Sequence, residues 1–200
     1  VIFAGFVYRK VVDRRFAAYA RDRHPGCFPL QGTALVGAIR HVRSLHDQAV
    51  ILVIPHWTRD YQWASRQQRD FAEEVFAAGA DLVIGHGAHM LQQVERFGDR
   101  VAVHSVGNFV FNAPGRYASM FAPPVSAAVR LMLPLRDPDA AILRLYPILS
   151  DNRITGYRPR FLTETEADEF MALYAHLGFI PHDARSGTDT VGYFLELRFK

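Results

Sequence analysis

Two stretches decide the reading of this chain: Ala49-Val50-Ile51-Leu52-Val53-Ile54-Pro55-His56-Trp57 and Gly79-Ala80-Asp81-Leu82-Val83-Ile84-Gly85-His86-Gly87-Ala88-His89. Each opens with a continuous apolar, largely β-branched run, the pattern of a strand buried on both faces of a parallel sheet. Between them, Ser65 is placed to cap a helix running to Ala78, with Phe71, Val75 and Phe76 turned inward and Gly79 as its stop. Strand, helix, strand makes a βαβ unit, so the two strands are expected to lie parallel with a right-handed crossover. In such sheets ligands gather beyond the carboxyl ends of the strands. That is where His56 and the pair His86 and His89 fall.

Outward from this unit, Val1–Val7 reads as a strand. Residues 9–23 carry Val12, Phe16, Tyr19 and Ala20 at helical spacing, before His24-Pro25-Gly26-Cys27-Phe28-Pro29 breaks the pattern. A helix is expected over 33–47, with Leu35, Ile39, Val42 and Leu45 on one stripe. Leu91–Phe97 and Val101–Val106 suit a hairpin turning through Gly98-Asp99. Val125–Arg136 and Ile142–Leu149 suit antiparallel strands joined by Asp137-Pro138-Asp139. Thr163-Glu164-Thr165-Glu166 is a capping box for a helix to about His176, with Gly178 beyond it. Thr190–Phe199 closes the chain as a strand. The fold class is α/β, with a mixed sheet or two packed sheets.

Half of the 200 residues are hydrophobic and 22% are charged, enough to bury a core without covalent staples. One cysteine, Cys27, excludes an internal disulfide and a thiolate zinc cluster. The net charge is +3, with twenty-one Arg and two Lys scattered among twenty acids. There is no basic run and no nucleic-acid-binding motif, so a nucleic-acid partner is not expected. The longest apolar run, Ala49–Ile54, is far short of the roughly twenty residues of a membrane span. Val1 opens directly onto a strand with no initiating Met and no signal peptide, and we expect the chain to be the carboxy-terminal part of a longer protein.

Histidine is the usual neutral metal ligand and acid–base group, and this chain has nine. His24, His41, His46, His176 and His182 fall on expected helix surfaces or loops and carry no case for function. His86 and His89 sit three apart in a glycine-flanked turn, which lets both imidazoles aim at one point. Neighbouring parallel strands lie about 4.8 Å apart, so His56 is within reach of that point. Three neutral imidazoles favour zinc, iron or manganese over calcium or magnesium. Asp60 is the one carboxylate close by in sequence. The segment 56–63 is too polar for core and rich in aromatics, and Arg59 and Arg116 border the expected cleft, where a guanidinium pairs well with carboxylate or phosphate oxygen.

Three motifs resemble the CapA family. Residues Val50–Trp57 followed by Asp60-Tyr61 resemble its His-Trp-Gly-x-Glu-Tyr motif. Gly79–His89 resembles Gly-Ala-Asp-x-Val-Ile-Gly-His-x-Pro-His, and His104-Ser105-Val106-Gly107-Asn108-Phe109 resembles Tyr-Ser-Leu-Gly-Asn-Phe. The order and spacing agree over roughly residues 1–150, and residues 151–200 form a family-nonspecific tail expected to pack on the same single domain. Thr58, Asp60, Ala88 and His104 depart from the family's Gly, Glu, Pro and Tyr. The family's Asn-Asn-His motif does not occur in the chain, and its one Gly-Asp pair, Gly98-Asp99, falls in the expected hairpin turn. The family's Gly-Asp and Asn-Asn-His motifs are expected before Val1.

The resemblance implies a calcineurin-like, metallophosphatase-like αββα sandwich with mixed sheets, incomplete here at the amino terminus. It implies a role in making or exporting capsular poly-γ-glutamate at the cell envelope, through a metal-dependent hydrolase-type site. His56, His86 and His89 would bind divalent metal (zinc, manganese or iron, two ions in the complete protein). Trp57, Arg59, Tyr61 and Asn108 would meet substrate, and no catalytic residue is assigned. The partners it implies are an anionic polymer, poly-γ-glutamate, or a phosphorylated substrate, together with capsule-synthesis proteins. Two other readings stay open: a non-catalytic polymer-binding or assembly subunit, and a small-molecule metallophosphoesterase.

Overall fold

A computed structural model describes residues 1–112, 114–134 and 141–199. The first part of the chain forms β1 (Ile2–Val7), α1 (Lys10–Phe16), β2 (Pro29–Leu30), α2 (Gly32–Leu45), β3 (Leu52–His56), α3 (Arg66–Ala78), β4 (Leu82–Ile84), β5 (Val94–Phe97) and β6 (Arg100–Val103). These strands make one six-stranded sheet in the order β2-β1-β3-β4-β6-β5, parallel throughout except for the β5–β6 hairpin. The βαβ expectation holds: Ser65 accepts from the Gln68 N–H while the Gln68 side chain accepts from the Ser65 N–H, and Gly79 ends α3 at φ 112°. Such a reciprocal cap is worth about 1 kcal/mol.

Then come α4 (Arg116–Ser119), β7 (Val125–Met132), β8 (Ile142–Leu149), α5 (Asn152–Thr155), β9 (Arg160–Phe161), α6 (Glu164–His176), β10 (Arg185–Thr188) and β11 (Tyr193–Arg198). A second, antiparallel sheet runs β10-β11-β8-β7, with β9 paired to β8. The expected β7–β8 pair is present, but its Asp137-Pro138-Asp139 turn and Arg136 lie outside the described residues.

Side chains alternate across a strand, and this parity assigns the layers. Ile51, Val53, Val83 and Ala102 pack against Leu35 and Ile39 of α2 and Ala72, Val75 and Phe76 of α3. Leu52, Leu82, Ile84, Val101 and Val103 point the other way. They share a core with Val125, Leu143, Leu145, Leu195 and Leu197 of the second sheet and with Ala167, Phe170 and Tyr174 of α6. The first sheet thus carries helices on one face and the second sheet with α6 on the other. At β1 that second face is uncovered, leaving Ile2 64% and Phe6 37% exposed.

The structure departs from the sequence reading in several places, among them the end of β6 at Val103 rather than Val106 and the start of β11 at Tyr193 rather than Thr190. The helix expected over 9–23 stops at Phe16, where Ala17 turns left-handed at φ 46°. Leaving the helix lets the Tyr19 hydroxyl donate to the Val7 carbonyl at 2.9 Å and accept from the Arg9 N–H at 3.0 Å, and lets Arg21 pair with Asp13. The strand expected from Leu91 begins only at Val94, because Leu91 N–H donates to Val125 of the second sheet and the Gln92 side chain is held by Gln68 and the Gln62 carbonyl. Strand β10 carries no sequence signal: it is an exposed edge of Arg, Ser, Gly and Thr with no apolar alternation to announce it.

Candidate functional site

The parallel ladder pairs Leu52 with Leu82 and Val53 with Val83, and carried three residues further it sets His56 opposite His86. Both histidines share parity with the core-facing leucines, so both rings project to the side of the second sheet. They meet edge to face with centroids 4.7 Å apart. On the far side the β1–β3 register puts Phe6 opposite His56, and their rings stack at 4.1 Å. Main-chain bonds brace the pair: His86 N–H donates to the Pro55 carbonyl at 3.0 Å and Trp57 N–H to the His86 carbonyl at 2.7 Å.

Burial holds the pKa of both imidazoles below the ordinary histidine value, and His56 lowers that of His86 further. Both are therefore neutral at pH 7. Among the described residues His56 Nδ1 is buried with no partner at hydrogen-bond distance. Gly87 makes the turn beyond His86 at φ 97°, with a backbone so close that a Cβ there would sit 2.5 Å from the Trp57 carbonyl and 2.8 Å from His56 Cε1.

His89 stands in a second group. Its backbone is left-handed at φ 63°, and its Nδ1 meets Asn108 Oδ1 at 2.7 Å while Asn108 Nδ2 donates to the His89 carbonyl at 3.1 Å. This leaves Nε2 as its free ring nitrogen. The Tyr61 ring stacks on it at 5.4 Å and Phe111 tilts against it at 4.5 Å. Tyr61 is buried, and its N–H donates to the Ala88 carbonyl at 2.7 Å. Arg116 lies over the Tyr61 ring, 5.7 Å from its centroid. Burial raises the pKa of the Tyr61 hydroxyl, with the Tyr117 hydroxyl adding to it.

Residues with no sequence signal hold this second group in place. Tyr117 donates to the His89 carbonyl at 2.7 Å and meets Ser150 Oγ at 2.8 Å, Ser150 meets Ser126 Oγ at 2.8 Å, and Ser126 accepts from the Asn108 N–H at 2.9 Å. The serines come from the second sheet and the segment after it, so a pattern read along the first sheet contains no trace of them.

Trp57 has the opposite parity to His56. It is buried on the helix side, edge to face with Phe71 at 5.4 Å, and its Nε1 donates to the His104 carbonyl. Arg59 is exposed and bonds Gln62 Oε1 at 2.7 Å. His104 also faces the helices. It is fully buried with Nε2 3.0 Å from Glu95 Oε2, which also takes Arg69 at 2.9 Å. Burial alone would raise the Glu95 pKa, but the hydrogen bond with His104 and the neighbouring Arg69 guanidinium hold it below its ordinary value.

The divalent ion implied by the family resemblance was tested against these donors. Neutral imidazoles suit a borderline transition metal, and the unpartnered His56 Nδ1 is a donor without an acceptor role elsewhere. A catalytic zinc-type site uses three protein ligands. Among the described residues no three His, Cys, Asp or Glu side chains group closely enough to hold an ion. The residues fit such an ion as a partial donor set.

The family model described as bacterial capsule synthesis protein PGA_cap matches residues 8–113, more than half of the chain. The chain belongs to this family. Over 113 residues it is 30% identical to the PGA biosynthesis protein CapA of Bacillus subtilis (strain 168), a match covering 56% of this chain and 29% of that protein. Over 98 residues it is 29% identical to the capsule biosynthesis protein CapA of Bacillus anthracis, covering 48% and 24%. An uncharacterized protein of Sinorhizobium fredii, y4sH, is 28% identical over 118 residues, covering 56% and 23%. The matches thus span less than a third of each of these relatives. The PGA_cap match encloses all three motifs, with His56, His86, His89 and Asn108 inside it. No helix among the described residues is long and apolar enough to cross a membrane.

Proposed function

We propose that the chain is part of a protein of capsular poly-γ-glutamate synthesis or export, with a metal-dependent hydrolase-type site at its strand carboxyl ends. His56, His86 and His89 supply part of the donor set for divalent metal there. Tyr61 and Asn108 meet the substrate on the histidine side, and Trp57 and Arg59 meet it on the helix side of the same strand ends, the substrate being an anionic polymer or a phosphorylated molecule. The reading includes the metallophosphatase-like αββα scaffold, a place at the cell envelope and capsule-synthesis proteins as partners. Its support is family membership together with one observation: two neutral imidazoles in register on adjacent parallel strands, one with a buried, unpartnered nitrogen. A bound divalent ion would polarise a scissile group or lower the pKa of water. The chain's own part is positional: Asn108 orients the His89 ring through Nδ1, and Tyr61 and Phe111 screen that ring from water.

The test is metal content by mass spectrometry after reconstitution with zinc or manganese. The expected outcome is about one bound ion or more per chain, lost in His86→Ala while the fold is kept by circular dichroism. Equal content in both proteins, or none in either, sinks the metal site. The short donor set favours a second reading, a non-catalytic polymer-binding subunit, for which binding of poly-γ-glutamate persists after chelation. Turnover of an aryl phosphate by the metal-loaded chain would instead select the phosphoesterase.

A further inference from the structure

On the helix side of the same strand ends, opposite in parity to His56 and His86, lies a cleft of about 590 Å³, within the range of small-molecule sites. The end of β1 supplies Val7, Tyr8, Arg9 and Lys10, the loop after β3 supplies Trp57, Thr58 and Arg59, and Ser65, Gln67, Gln68 and Phe71 of the α3 start close it. Three of its lining residues are cationic and none is acidic. The charges are not used up within the protein. Arg59 bonds a neutral amide, Gln62, and no ion pair of the described residues involves Arg9, Lys10 or Arg59. The nearest acid along α1, Asp13, is taken by Arg21. The N-terminus of α3 is already satisfied by its own capping box, so the cations define the cleft.

Three like charges gathered without a counter-charge repel one another, and a ligand of opposite sign relieves that cost. Tyr8, Trp57 and Phe71 give the cleft aromatic walls beside the exposed Arg9, Lys10 and Arg59. We propose that this cleft is a binding site for a ligand bearing two or more oxyanion groups, carboxylate or phosphate, held by Arg9, Lys10 and Arg59. The cleft shares Trp57 and Arg59 with the substrate contacts proposed above, but it lies on the opposite face from the histidines, so anion binding in it does not depend on metal.

Calorimetry of the chain, treated with chelator and then desalted, tests this with two probes: tricarballylate for carboxylates and inorganic pyrophosphate for phosphates. At least one is expected to bind, more weakly as salt is raised. Combining Arg9→Gln, Lys10→Gln and Arg59→Gln is expected to weaken that binding by about tenfold or more, since charge-assisted contacts are the strong ones. A control of equal charge change at exposed arginines elsewhere, Arg40→Gln, Arg130→Gln and Arg185→Gln, is expected to stay within about twofold of the parent. The probe that binds names the oxyanion. Because chelator removes bound metal before the titration, anion binding in the cleft and the metal content of His86→Ala report on different proposals. Binding of neither probe, or equal weakening in the cleft and control variants, overturns the site.

Discussion

His56 and His104 each end a strand of one sheet, and parity alone separates them. His56 follows Leu52 and Ile54 toward the second sheet, while His104 follows Ala102 toward α3 and is fixed there by Glu95. The turn beyond His86 depends on a single residue in the same way. Gly87 combines a positive φ with a backbone approach that leaves no room for a methyl group beside His56 and the Trp57 carbonyl. Gly87→Ala is therefore expected to destabilise the chain by about 1–3 kcal/mol in urea unfolding. A variant as stable as the parent would show that the turn relaxes at no cost. The three histidines and Asn108 were legible in the sequence as residues, and so was the contact between strand ends 3 and 4. The Asn108–His89 bond and the serine–tyrosine network beneath it were not, because their members lie up to 61 positions apart, from His89 to Ser150.

At the scale of elements, α6 is the piece whose start the sequence spelled out. Thr163 and Glu166 form the expected capping box, and Arg160 of β9 donates from Nη1 and Nη2 to the two Glu166 carboxylate oxygens at 2.6 and 2.7 Å. Arg160, with the Thr163 N–H, holds the Glu166 pKa at about 2, below its ordinary 4.5. A carboxylate depressed on folding adds stability that is full above the ordinary value and is lost as pH falls toward the folded one. Arg160→Gln is expected to be less stable at pH 7 by up to about 1 kcal/mol, the scale of an exposed pair. Its stability should also fall less between pH 5 and pH 2 than the parent's. Thermal unfolding across that range measures both, and an unchanged slope would remove Arg160 as the cause. Helix α1 shows the opposite case, where apolar spacing extended past Phe16 but the Tyr19 hydroxyl found a better partner in β1.

Across the whole molecule, the largest core cluster joins β3, β4 and β6 to β7, β8, β11 and α6, so residues from 52 to 199 share one interior. Leu143 lies fully buried within it. Leu143→Ala is expected to cost about 2–5 kcal/mol, transfer and cavity together. Both tryptophans, Trp57 and Trp63, belong to the first part of the chain. Their fluorescence and far-UV circular dichroism are expected to report a single shared transition that shifts together in the variant. Separated transitions would mean that the two sheets unfold as independent units. The uncovered face of β1, with Ile2 and Phe6 exposed, lies at the edge this cluster does not reach.

The sequence by itself determined the parallel β3–α3–β4 unit, the two hairpins, the caps of α3 and α6, and the histidines at strand ends. Each of these depends on residues near one another in the chain, through periodicity, turn chemistry or hydrogen bonds spanning three or four positions. Only the tertiary structure decided which histidines share a face, that His89 belongs with Asn108 and Tyr61, and that Arg9, Lys10 and Arg59 line one cleft. Those facts depend on strand register and on which sheet covers which face, and these are set by packing between segments tens of residues apart.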